Sequence, residues 1–179
     1  MRYQIRLLDQ NLPGLARQLS LEAWRVVNGL LDVRAGDGVY RAIYRSVRDV
    51  LRDRVKAFRY CGAAGVCGGS IPEDRLEREP RHEAYAGEHV HVYLMEGESP
   101  PEELVEDLVV RSMRGVVGVL PGQLLKGISE DLRRAFAKIL GGNVFPAVRC
   151  SEAQLCHANE AYDPWDLRDP INAVRKAGR

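Results

Sequence analysis

Aromatic side chains are scarce in this 179-residue chain: two Trp, seven Tyr and three Phe, 7% of the whole. Reading bases by stacking needs aromatics set among basic residues, so recognition of a base sequence is not expected. Lysine is almost missing, 4 residues against 22 arginines. That skew fits a GC-rich genome, a hot habitat or phosphate binding, and alone separates none of them. No run approaches the roughly 18 apolar residues of a membrane span. The first residues, Met1 to Arg6, lack the apolar stretch of a signal peptide. A cytoplasmic protein with no membrane partner is therefore expected. There is no Walker-type loop, no GxGxxG fingerprint and no Ser/His/Asp arrangement. The carboxylates between Glu96 and Asp107 read as a solvated acidic helix. The leading expectation is a non-catalytic protein without a cofactor. No internal repeat and no low-complexity tract is read along the chain.

What the chain does have is 45% hydrophobic and 28% charged residues. This is enough for one domain with a real core, or for a helical module plus a small α+β module. The net charge of +1 conceals a segregation. Residues 1–69 hold 12 Lys/Arg against 6 Asp/Glu, residues 70–110 hold 3 against 12, and residues 111–179 hold 11 against 7. An acidic waist between basic ends suits a protein that binds a polyanion at both ends or sits among other charged subunits.

Tyr3 to Leu8 alternates as a strand. After Asn11-Leu12-Pro13-Gly14, apolar residues at helical spacing predict a helix from Leu15 to Leu31. Asp37 is the expected N-cap of a second helix, predicted to run to Tyr60. Its apolar side holds Val39, Tyr40, Ile43, Val47, Val50, Leu51 and Phe58. Its polar side holds Arg41, Arg45, Arg48, Arg52, Lys56 and Arg59 within an arc of roughly 80°. Arg54 alone falls among the apolar positions. Stacked like charges repel, each i,i+4 pair costing a few tenths of a kcal/mol, so a basic column invites an anionic partner.

A glycine-rich stretch containing Cys61 and Cys67 ends that helix, and a polar connector covers Glu73 to Glu83. Glu88 to Met95 alternates as a strand. Pro100-Pro101-Glu102-Glu103 opens a short helix. Val116 to Leu120 is a strand or the approach to a turn. A further amphipathic helix follows from Gln123 to Leu140, then a short strand from Val144 to Val148 and a turn-rich tail. The fold class is helix-rich α+β: a basic helical module over residues 1–69, then a small α+β module over residues 70–179.

Two groups of residues could carry chemistry. Cys61/Cys67 and Cys150/Cys156 share one spacing, with His157 beside the last. The gap exceeds that of zinc knuckles, and zinc, disulfides and free thiols all remain open. His89-Val90-His91 places two imidazoles on one face of a strand. This resembles the His-hydrophobic-His motif of the HUH single-strand endonucleases and transposases. The resemblance implies a divalent metal held by His89 and His91, with Tyr162 as nucleophile.

A longer resemblance lies in Gly118 to Phe136. Leu120-Pro121-Gly122-Gln123-Leu124-Leu125-Lys126-Gly127 and the arginines after it resemble the "I-P-G-S-S-L-K-G-x-L-R" turn-helix of the RAMP superfamily. These are the RRM-like proteins that build CRISPR effector complexes in antiviral defence. Gln123-Leu124 replaces the usual hydroxyl pair, and the gap before the arginines is stretched. The resemblance implies a ferredoxin-like unit, protein subunits as partners, and guide RNA contacted through Pro121, Gly122, Lys126, Gly127 and Arg133, with Arg134 beside them.

The function expected is thus a nucleic-acid-binding subunit of a ribonucleoprotein assembly, RNA favoured over DNA. Arg41, Arg45, Arg48, Arg52, Lys56 and Arg59 would meet phosphates. The alternatives are the metal-dependent nuclease and a nucleic-acid-coating virion protein.

Overall fold

A computed structural model of the chain describes residues 3–8, 10–29, 36–58, 90–95, 101–118, 120–146 and 161–166. The first strand, β1, spans Tyr3–Leu8, and helix α1 spans Leu12–Gly29. Asn11 caps α1, its Oδ1 accepting the Gly14 N–H at 2.9 Å. Pro13 then sits in the first helical turn, where a missing N–H costs nothing. The Asn-Leu-Pro-Gly sequence thus starts the helix rather than preceding it.

Helix α2 spans Asp37–Arg54, and strand β2 follows at once over Val55–Phe58. The helix predicted to reach Tyr60 is therefore shorter. Val55 is already extended (φ −123°, ψ 125°), and β2 is held by pairing with a distant strand, which no local pattern reports. On a helical projection Lys56 and Arg59 fall on the basic arc by coincidence of period. Helix α2 buries Ile43, Val47, Val50 and Leu51, each contributing about 1.5–3 kcal/mol of transfer free energy.

Strand β3 spans Val90–Met95, helix α3 Pro101–Arg114, and helix α4 Leu125–Gly141, entered through a 3₁₀ turn at Gly122–Leu124. Of the stretch predicted from Val116 to Leu120, residues 116–118 are turn rather than strand, and the Leu120 N–H donates to the Val116 carbonyl. Strands β4 (Val144–Pro146) and β5 (Ala161–Tyr162) complete the described chain.

The five strands form one antiparallel sheet in the order β4-β1-β3-β2-β5. Strands from residues 1–69 therefore alternate with strands from residues 70–179, and both segments feed one core. The architecture is α+β and helix-rich. Among the strand residues whose side chains are described, Ile5, Leu7, Tyr93, Met95, Val55 and Val144 are buried. They meet helices packed in a closed circuit: α1 on α2, α2 on α3, α3 on α4 and α4 on α1. Tyr93 lies at the centre, wholly buried, its phenol oxygen accepting the Leu12 N–H at 3.1 Å. One of the unbonded N–H groups at the start of α1 is thus satisfied from the sheet.

Candidate nucleic-acid interface

The register of α2 follows from its apolar stripe. Ile43, Val47, Val50 and Leu51 face inward, which turns the opposite arc to solvent. Arg41, Arg45 and Arg52 are exposed there, and Arg48 is half exposed. Arg48 donates through Nε and Nη2 to Asp49 Oδ1, at 3.3 and 3.2 Å. Among the described residues Arg41, Arg45 and Arg52 have no acidic partner. From Arg41 to Arg52 the column is about 16 Å long at 1.5 Å rise per residue. That is shorter than the helix to Tyr60 would have made it. Lys56 is exposed on β2, and Arg59 lies outside the described residues.

Beside the column Tyr40 and Tyr44 are half-buried and stack, with ring centroids 6.4 Å apart and planes 22° apart. Sequence reasoning placed Tyr40 with the core residues and passed over Tyr44. Their i,i+4 spacing on a helix is the signal that could have found the pair.

Arg54, the cation among the apolar positions, points to α3. Its Nε donates to Asp107 Oδ2 at 2.8 Å, its Nη2 bonds the same oxygen, and Glu103 lies 3.9 Å from Nη1. In return Arg111 of α3 donates to Asp53 of α2 at 2.9 Å. On the other side of α3, Arg133 of α4 forms a two-pronged pair with Glu106, at 2.9 and 3.0 Å. The hydrogen bond from Arg133 holds the Glu106 carboxyl below its ordinary pKa, with the Arg133 charge adding to it, and Glu106 raises Arg133 in turn. The acids of α3 therefore neutralise arginines of the two helices that flank it. This accounts for part of the acidic waist by internal pairing rather than by an outside partner.

Of the residues carried over from the turn-helix resemblance, Pro121, Gly122, Lys126 and Gly127 lie at the start of α4, and Arg133 and Arg134 lie at its middle. Pro121, Gly122, Lys126 and Gly127 are exposed, while Arg133 is engaged by Glu106 and Arg134 pairs with Asp131 one turn earlier. A Cβ at Gly122 or Gly127 would meet nothing within 4 Å. Packing does not require either glycine.

The residues of the nuclease alternative are only partly described. His91 stands opposite Leu7, and Tyr162 opposite Ala57, which in turn stands opposite Tyr93. This puts His91 and Tyr162 two strands apart, on the order of 12 Å between Cα atoms. His89 lies outside the described residues, as do Cys61, Cys67, Cys150, Cys156 and His157. Among the described residues no group of three or more His, Cys, Asp or Glu could hold a metal. No helix among them is long and apolar enough to cross a membrane.

No protein-family model, no curated protein and no solved structure matches this chain.

Proposed function

We propose that this chain is a non-catalytic nucleic-acid-binding protein that docks the phosphate backbone of single-stranded RNA along α2, as a subunit of a larger ribonucleoprotein assembly. The observation that carries the reading is the contrast among its arginines. Arg54, Arg111 and Arg133 are matched to acids across helix interfaces. Arg41, Arg45 and Arg52 form an exposed column without such partners among the described residues. Guanidinium groups arrayed along one helix face meet phosphates by charge-assisted, two-pronged hydrogen bonds and displace condensed counterions. The Tyr40–Tyr44 stack supplies an aromatic edge against which an unpaired base can rest, and this favours a single strand over a duplex.

The fold and assembly of the RAMP-type reading are part of this proposal, without the RNA contacts it places at the start of α4 and on Arg133 and Arg134, which pair with acids instead. The sheet order β4-β1-β3-β2 with alternating strand directions supports reading the sheet as a variant of the ferredoxin-like split βαβ arrangement, with a helix pair in place of each single helix. A CRISPR effector complex is the assembly that this reading names. In the test, a labelled oligouridylate is titrated with the wild-type protein and with the Arg41→Glu/Arg45→Glu/Arg52→Glu variant. Binding is expected to fall more than about tenfold while the helical circular-dichroism signal is kept, since three phosphate contacts become three repulsions. Equal affinity in a folded variant would sink the proposal.

A further inference from the structure

The sheet and the helix circuit divide into two interleaved units, β1-α1-α2-β2 and β3-α3-α4-β4. Their ladders superimpose residue by residue. Tyr3, Gln4 and Ile5 of β1 pair with Pro146, Phe145 and Val144, as Tyr93, Leu94 and Met95 of β3 pair with Ala57, Lys56 and Val55. The pairing of Gln4 with Leu94 then lies on a pseudo-twofold axis between the two central strands. The helices obey the same relation. Buried Leu15, Leu19 and Val27 of the first unit answer to buried Leu104, Leu108 and Val116 of the second. Ile43, Val47, Leu51 and Val55 answer to Leu132, Phe136, Leu140 and Val144.

Each of these helix pairs is offset by the same 89 residues that separate Cys61 from Cys150 and Cys67 from Cys156. The first unit has one residue more between its opening strand and its first helix. The chain is a tandem repeat that the sequence alone did not disclose, because outside the buried positions the units have diverged in charge and size.

A repeat allows each surface residue to be compared with its twin on the same scaffold. We infer that the chain carries one RNA-docking face, on α2, and that its twin face on α4 has lost that role. This rests on the reading of α2 as a phosphate-docking helix. The buried positions of α2 and α4 agree, so the fold constrains both helices alike, while the exposed columns do not. Arg41, Arg48 and Arg52 have as twins Glu130, Ala137 and Gly141. Arg45 alone keeps a basic twin, Arg134, and that residue is paired with Asp131. The stacked tyrosines have as twins Ser129 and Arg133, the latter committed to Glu106. A column required by the fold would recur on both helices. This one is confined to one of them.

The experiment measures stoichiometry as well as affinity, using a 12-nucleotide oligouridylate in isothermal titration calorimetry with the full chain. The wild type is expected to bind one oligonucleotide. The Ala137→Glu/Lys138→Glu/Gly141→Glu variant, which makes the exposed α4 face acidic, should stay within about threefold of it, against the more than tenfold loss for Arg41→Glu/Arg45→Glu/Arg52→Glu. The Glu130→Arg/Ala137→Arg/Gly141→Arg variant restores the column on α4. A Cβ at Gly141 meets nothing within 4 Å, and this variant should bind two oligonucleotides. Two bound by the wild type, or an equal loss in the α4 variant, overturns the single face while leaving α2 as a docking helix. A folded restored-column variant that still binds one shows that charge alone does not define the face, and overturns the inference. No binding by the wild type overturns both readings.

Discussion

Tyr93→Phe removes one oxygen from the buried core. That oxygen accepts the Leu12 N–H at 3.1 Å where both residues are fully buried. The variant keeps the ring and leaves the N–H without this acceptor. An unsatisfied buried donor costs about 1–3 kcal/mol. For a domain of this size each kcal/mol moves Tm by about 2–4 °C, so a fall of roughly 2–12 °C is expected by calorimetry or thermal circular dichroism. The urea m-value should be unchanged, because the surface exposed on unfolding is the same. Tyr3→Phe is the internal control. Tyr3 is the twin of Tyr93, but the twin of Leu12 is Pro101, which has no N–H to satisfy. Its Tm should move by less than about 1–2 °C. A Tyr93→Phe protein as stable as the wild type would refute the role assigned to the phenol, and a Tyr3→Phe loss of equal size would refute the contrast between the units.

Three further outcomes follow from the packing and the charges. Gly115→Val should destabilise by about 1–3 kcal/mol in urea melts, since even a Cβ there comes within 3.3 Å of the Ala42 Cβ on α2; an unchanged midpoint would show that α2 and α3 separate freely. A double-mutant cycle on Arg54→Ala and Asp107→Ala should give a coupling of about 0.5–1 kcal/mol, discounted for side chains 29% and 39% exposed; zero coupling would remove this pair from the α2–α3 contact. Glu106 has its pKa lowered on folding by Arg133, so its stabilisation is present above the unfolded carboxylate pKa of about 4.3 and is lost as pH falls through the lower folded value. Glu106→Gln should flatten the stability profile in that acid window and leave its shape near neutrality alone, and an identical acid limb would contradict the pairing.

Much of the fold is legible wherever a local period decides. Strand β1 alternates between buried Ile5 and Leu7, and α1, α2 and α4 carry their core residues at helical spacing. What is not legible is set by partners far along the chain. Helix α2 ends at Arg54 because β2 finds Met95 and Tyr93 across the sheet, whereas Lys56 and Arg59 continue the helical arc by chance. The cross-helix pairs of α3 depend on a circuit that no spacing encodes. The duplication stayed hidden behind unlike surfaces, although the equal spacing of the two cysteine pairs was its visible trace. Of the candidate site, the exposed column was readable from period and charge. Which arginines are left without acids, and that tyrosines border them, needed the third dimension.

The measurement closest to the heart of this account is the salt dependence of oligouridylate binding. Log affinity should fall linearly with log salt for the wild type, by about 0.7 per phosphate contact for a single strand. Replacing Arg41, Arg45 and Arg52 should remove about 2 from that slope while the protein stays folded. A folded variant with the wild-type slope and affinity would show that the α2 column does not meet phosphates.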